Sequence, residues 1–265
     1  MKKYWMTGLA LTMLMSLRAQ QQEGRIVYER TAQLQIRFQG MDDGPARNIP
    51  QSRTDKMEVI FGNNKSLRRT VADETPEPTS FENGGVMIRT FSAGADDITY
   101  HDYSQRKRID QREFGGKRYI VEDSISSLNW KLTGETKTIL GFTCQQAKAQ
   151  RIGTRFGNTI VNGEPKRIQE ADTSNIIVWF TTAIPVPAGP EYQGQLPGAI
   201  LEIDINEGRT IYKAVEVTEK SDAGLIKAPK TGKKVTLAEF EAEREKLLAE
   251  LQKNNGGRGR VIRMN

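Results

Sequence analysis

The chain holds one histidine, His101, and one cysteine, Cys144. Any Ser–His–Asp or Cys–His nucleophilic site must therefore pass through His101. It stands in the run Thr99-Tyr100-His101-Asp102-Tyr103, at a strand or strand end. Neighbours on a strand point to opposite faces, so Asp102 is badly placed to orient the imidazole. His101 is accordingly expected to be a surface or interfacial residue. Cys144, in Gly141-Phe142-Thr143-Cys144, has only Lys148 as a nearby cation and reads as a small buried apolar side chain. One histidine and one cysteine do not make a zinc site. The acidic pairs Asp42-Asp43 and Asp96-Asp97 lack the alternating spacing and glycine of an EF-hand loop. Phosphate-binding glycine motifs are absent. A carboxylate pair for glycoside hydrolysis is a three-dimensional quantity that no spacing here nominates. The chemistry thus points to no catalytic residue, metal or cofactor.

The elements that would position such residues are strands. The run 178–202, VWFTTAIPVPAGPEYQGQLPGAILE, is the most tightly specified stretch. An apolar strand over 176–182 leads into a loop in which Pro185, Pro187 and Pro190 forbid ladder pairing. Gly189, Gly194 and Gly198 supply its sharp turns. Strand alternation resumes over 199–205, with Leu201, Ile203 and Ile205 on one face. Upstream, short runs separated by turn residues predict strands at 25–38, 57–61, 66–71, 86–91, 98–103, 107–114 and 117–121. Further strands follow at 130–133, 136–140, 143–151 and 212–217. The segments 40–52 and 73–85 read as loops. The fold class is all-β, an antiparallel, strongly curved sheet or half-open barrel, with a C-terminal amphipathic helix. That helix opens at Thr236, with Glu239 three residues on forming a capping box. It carries Leu237, Phe240, Leu247, Leu248 and Leu251 on one face, and Gly256-Gly257 stop it.

The ends bound compartment and organisation. Lys2-Lys3 followed by an apolar run over 4–17, too short to span a bilayer, read as a signal peptide over 1–19. The expected order is then a β domain over 20–218, a linker over 219–235, and helix plus basic tail over 236–265. A lone cysteine makes no intramolecular disulfide. The net charge of +6 has its clearest excess at Lys227, Lys230, Lys233, Lys234, Arg258, Arg260 and Arg263, which speaks for solvation rather than nucleic-acid binding.

Across 130–217 the chain resembles the GLPGLI family. The resemblance rests on Trp130, the run Thr136 to Gly141, Cys144, Ala147, Trp179-Phe180-Thr181 and Ile184-Pro185. It continues through Gly189-Pro190, Tyr192, Leu196-Pro197-Gly198 and Ile200-Leu201-Glu202. The defining hexapeptide reads QLPGAI, with Gln195 in place of the first glycine and Ala199 in place of the leucine. Gly194 alongside offers to shift the turn by one residue. The resemblance implies an exported, β-rich protein of Gram-negative bacteria, encoded near TonB-dependent receptor-like outer-membrane proteins, and no transferable catalytic residues.

The functional expectation is a non-enzymatic periplasmic accessory protein that binds such a receptor or another envelope component. Its contacts are expected at Pro185, Pro190, Tyr192, Leu196, Pro197, Phe240, Arg258 and Arg260. The competing use of the loop is internal: Trp179, Tyr192 and Leu196 burying surface to close the sheet. A carrier of a lipid or small apolar ligand in the hollow of the sheet is the alternative, and a hydrolase is the third reading.

Overall fold

The computed structural model describes residues 22–33, 52–71, 80–83, 86–89, 97–161, 164–219 and 221–254. Fourteen strands and one α-helix lie among them. The strands are β1 (Gly24–Gln33), β2 (Ser52–Gly62), β3 (Lys65–Thr70), β4 (Ser80–Asn83), β5 (Val86–Arg89), β6 (Ile98–Asp102) and β7 (Lys107–Phe114). They continue with β8 (Lys117–Ser124), β9 (Lys131–Ile139), β10 (Phe142–Val161), β11 (Glu164–Thr181), β12 (Ala199–Ile205), β13 (Thr210–Thr218) and β14 (Lys233–Val235). Helix α1 is Leu237–Asn254. Twelve of the strands form one open sheet in the order β14-β8-β7-β6-β3-β2-β1-β13-β12-β11-β10-β9, and β4 and β5 pair separately.

Pairing is antiparallel except where β14 joins β8 in parallel. The sheet is not closed, as the all-β expectation allowed.

Period-two alternation sends one set of side chains to the face that carries the Pro/Gly loop, called here the inner face. Tyr28, Met57, Val59 and Phe61 from β1 and β2 meet Val178, Phe180, Ile200 and Ile203 from β11 and β12 in one core. Ile184, Val186, Ala188 and Leu196 of the loop pack into that core. Fully burying a side chain of this size contributes about 1.5–3 kcal/mol, so the loop is held chiefly by apolar area. Tyr28 is wholly enclosed, and its hydroxyl donates to the Ile200 carbonyl at 2.7 Å.

A second, smaller core lies on the opposite face, where Leu67, Tyr100, Ile109 and Ile120 are covered by Ile226 and Ala228. Within the expected linker over 219–235, the described residues 221–235 pack on that face through Ile226 and Ala228. They hold a 3-10 turn at Ala223–Leu225, cross that face, and end as β14.

Other boundaries move as well. β2 begins at Ser52, five residues before Met57. Ser80–Asn83, inside the stretch read as a loop, is a strand paired with β5. The runs 130–133 and 136–140 are one strand, β9, bent where Gly134 takes φ +83 and the register against β10 slips. The largest difference is β10–β11. The strands at 143–151 and 176–182 were expected to be short, yet they continue outward as a hairpin paired from Gln145↔Phe180 to Val161↔Glu164. β9 accompanies β10 only as far as Lys148, and β12 accompanies β11 only from Ile176 onward. Beyond those rungs Asn206 still bonds Asn175, and the hairpin then continues as a two-stranded ribbon that pairs with no further strand among the described residues.

Helix α1 has the expected capping box. Glu239 N–H donates to Thr236 Oγ1 at 3.2 Å, and Thr236 N–H donates to the Glu239 carboxylate at 2.7 Å. The helix docks on β8 at the inner face, with Phe240 edge-on to Tyr119 at 5.3 Å and beside Val121. Leu237 remains 42% exposed, so the apolar stripe is only partly used. The stretches 1–19, 34–51 and 255–265, with the expected signal peptide, the Asp42-Asp43 pair, Arg258 and Arg260, lie outside the described residues.

Candidate functional site

The loop from Thr182 to Gly198 meets the sheet through two kinds of contact. Its apolar side chains enter the core described above. Its turn at 191–195 carries polar groups onto β3 and β6, and this polar contact is the candidate site.

The turn is tightly fixed by its backbone. Gly194 N–H donates to Pro187 O at 2.8 Å, Ala199 N–H to Ile184 O at 3.0 Å, and Ile200 N–H to Ala188 O at 2.8 Å. Tyr192 and Gly194 take positive φ, +56 and +77. A Cβ at Gly198 would stand 2.1 Å from the Thr181 carbonyl oxygen, so only glycine fits there. Gln195 has an ordinary φ and a role of its own. Its side-chain oxygen accepts from Leu128 N–H and from Trp130 Nε1–H, both at 3.0 Å. Trp130 in turn stands edge-on to Tyr192 at 5.6 Å.

Opposite residues in a ladder share a face. The rung Ser66↔His101↔Arg108 and the rung Arg68↔Thr99↔Asp110 therefore place all six on the inner face. Gln193 reaches the first rung: its Oε1 accepts from Ser66 Oγ at 2.5 Å, with the Tyr103 hydroxyl 2.7 Å from Ser66 Oγ. Glu191 reaches the second. Arg68 donates to the Glu191 carboxylate at 2.5 Å, to Pro190 O at 2.6 Å and to Thr99 Oγ1 at 3.1 Å. Burial works against charge on Glu191, but Arg68 outweighs it and holds the carboxyl below its ordinary range. Asp110 is treated likewise: burial opposes its ionisation, while Arg108 and Arg112 lower its pKa. Arg108 grips it with Nε at 3.0 Å and Nη2 at 2.8 Å, and Arg112 adds Nη2 at 2.9 Å.

His101 corrects the sequence expectation of a surface or interfacial residue: it is only 5% exposed. Its ring lies near that of Tyr103, with centroids 6.1 Å apart. Burial, then the Arg108 charge, pushes its pKa down to about 4, so the imidazole is neutral at pH 7. Nδ1 has no hydrogen-bond partner among the described residues.

Asp102 is on the other face, as strand alternation requires, where it accepts from Ser104 Oγ and Gln105 N–H. Ser66, the hydroxyl nearest in register, is fully buried and already bonded. Among the described residues the geometry places no nucleophile and acid in series with His101.

Cys144 is buried, with its thiol pushed up to about 11 by desolvation. Among the described residues no three His, Cys, Asp or Glu side chains converge on a metal position.

The residues expected to meet a partner are largely in internal use. Pro190 and Leu196 are buried under the loop, and Phe240 is buried against β8. Pro185 and Tyr192 are half-buried, and Pro197 alone of the loop set is exposed. The structure brings Tyr192 to Trp130 and separates Phe240 from the loop. Reading the sequence missed Arg68 and Glu191, because a carboxylate 123 residues from its arginine leaves no local signal. It also missed Asp110, although Arg108, Asp110 and Arg112 stand two residues apart, the spacing that puts all three on one face of a strand.

A family described as a protein of unknown function, Porph_ging, matches residues 130–202. That span runs from Trp130 through the loop to β12. No curated protein matches the chain. Among solved structures, PNGF-II in its C2 crystal form superposes with a TM-score of 0.50 at 17% identity, covering 85% of this chain. The P21 form gives the same score and identity. This chain spans only about a third, 33%, of the PNGF-II chain, so the likeness is one of fold to part of a longer protein. LprF from Mycobacterium bovis is matched at a TM-score of 0.27 and 8% identity, too slight to bear on the fold.

Proposed function

We propose that the chain is a non-enzymatic accessory protein of the bacterial envelope, a GLPGLI-type protein exported to the periplasm. Its proposed partner is an outer-membrane, TonB-dependent receptor-like protein or another envelope component. The observation that carries this reading is where the loop lies. Ile184, Val186, Ala188 and Leu196 occupy the inner face, the position a carried apolar ligand would need. The same packing withdraws most of the loop from any partner, which moves the contact surface elsewhere. The β10–β11 ribbon is the natural replacement. An isolated two-stranded hairpin is marginal in water, and a ribbon whose two edges pair with no strand among the described residues suits strand addition by another chain. The likeness to one third of PNGF-II supports a sheet of this kind working alongside further protein.

The test is recovery of the tagged protein from gently solubilised envelopes, followed by mass spectrometry. A matched variant has residues 152–173 replaced by Asn-Gly, joining the paired Arg151 and Ser174 through a two-residue turn. The expected result is stoichiometric recovery of an outer-membrane barrel by the full chain and its loss with the shortened ribbon. Recovery of the full chain alone, with lipid extractable from it, would overturn the reading in favour of a carrier.

A further inference from the structure

A buried polar atom without a partner is rare in folded proteins and calls for a missing water, ion or ligand. His101 Nδ1 is such an atom, on a side chain 95% enclosed. What surrounds it is not apolar. From β3 comes Arg68, from β7 Arg108 and Asp110, and from the loop Glu191, all close enough to act on its charge. One rung beyond, Arg112 shares Asp110 and lies over the Phe240 ring at 5.2 Å, so helix α1 borders the group.

Among the described residues three guanidinium groups thus share three carboxylates, Glu191, Asp110 and Asp97. Burial works against charge on Asp97 while Arg112 and Arg68 favour it, and its Oδ1 accepts from Glu113 N–H at 3.0 Å. The arginines also keep donors in reserve. Arg108 uses Nε and Nη2 on Asp110, and Arg112 uses Nη2 there, which leaves Nη1 of both without a partner among the described residues. The side chains of Arg68, Arg108 and Arg112 are 20%, 35% and 24% exposed, so solvent reaches the group although His101 is covered.

We propose that this corner of the inner face, between the loop and helix α1, binds a small oxyanion, a phosphate or a carboxylate, against His101, Arg108 and Arg112. Planar guanidinium forks match such oxygens, and a neutral imidazole completes the set by donating its ring N–H. The anion would satisfy the orphaned nitrogen and take up the Nη1 donors that Arg108 and Arg112 leave unused. It would also favour the protonated imidazole, so binding raises the pKa of His101. The site is independent of the ribbon, and failure of either proposal leaves the other standing.

Because His101 is the only histidine, its ring signals in a proton NMR spectrum are unambiguous once any purification tag is removed. In a buffer free of multivalent anions, inorganic phosphate and succinate are titrated separately into the full chain. The expected result is a saturable movement of the His101 resonances with at least one probe and a rise of its pKa above about 4. The Arg108→Gln variant should weaken binding about tenfold, the loss of one charge-assisted hydrogen bond. Arg112→Gln serves the same purpose if the first variant does not fold, as judged by circular dichroism. Phosphate alone causing the movement would assign a phosphoryl ligand, and succinate alone a carboxylate. Resonances that do not move with either probe, or move equally in a folded arginine variant, would overturn the proposal.

Discussion

The two halves of the inner face are held by different physics. Under the loop, β1, β2, β11, β12 and β13 present an apolar surface in which Tyr28, Phe61, Phe180 and Ile203 are at most 1% exposed. Under the turn and helix α1, β3, β6 and β7 present Ser66, Arg68, Thr99, His101, Arg108 and Asp110 on the same face. One continuous ladder thus carries an oil-like core at one end and an ionic cluster at the other. The apolar end draws its stability from area removed from water, which neither acid nor salt weakens much. The ionic end depends on protonation state and on complete pairing, since one unmatched buried charge costs more than a matched pair contributes.

The largest expected effect tests the apolar half. Phe180→Ala should cost about 3–5 kcal/mol in chemical denaturation, with the same cost at pH 7 and pH 5. A cost near 1 kcal/mol would mean that the loop collapses into the space and that the core is not close-packed.

The next effect belongs to the polar half. For His101 the folded pKa is about 4, below the ordinary 6.5, so the unfolded chain binds the proton first. Stability from this group is therefore complete above pH 6.5 and falls as pH drops towards 4. The displacement from 6.5 to about 4 is worth roughly 3 kcal/mol. Asp110 and Glu191, whose carboxyls are held low, act in the same direction but only below the ordinary carboxylate range. Denaturation midpoints measured across pH 7 to 4 in an anion-poor buffer should show this slope. His101→Phe should flatten the part between 6.5 and 4 while leaving the Phe180→Ala cost unchanged. A slope that persists in His101→Phe would place the titrating group elsewhere.

A smaller effect probes the join between the halves. Gln195→Ala removes the acceptor shared by Leu128 N–H and Trp130 Nε1–H, and should cost about 1–3 kcal/mol. Trp130 fluorescence should shift to the red as its indole loses that partner. Unchanged emission would mean that water replaces the amide oxygen at no cost.

Much of the apolar half could be read from the chain. Alternation marks 57–61 and 199–205, and the prolines and glycines of 185–198 announce a braced loop. These features work because the physics is local: each residue signals its own face or its own dihedral. The polar half was not legible, because its parts come from β3, β6, β7 and the loop, and a scattered arginine reads as a surface charge until its carboxylate is placed. His101 was misjudged for the same reason. Asp102 was correctly set aside by alternation, but nothing near His101 in sequence revealed that Arg68, Arg108 and Glu191 would come close enough to act on its charge. The outer reach of β10–β11 was missed because residues 152–175 are polar, charged and interrupted at Gly153 and Gly157, so no alternation survives there. β14 was missed because three residues, two of them lysine, carry too little pattern to mark a strand.

The smallest expected effect concerns helix α1, which borders the polar half where Arg112 lies over the Phe240 ring. Its start is fixed locally by Thr236 and Glu239, and its seat on β8 by Phe240 and a Lys233–Glu243 pair. Thr236→Ala should weaken the helix by about 1 kcal/mol, the usual worth of an N-cap. That loss should raise amide exchange in the first turn of α1 without altering the denaturation midpoint of the sheet, because Leu237 is still partly in water and the helix adds little to the core. If the midpoint of the whole chain falls as well, the helix is part of the same cooperative unit as β7 and β8. The ionic end of the face would then depend on α1 as the apolar end depends on the loop.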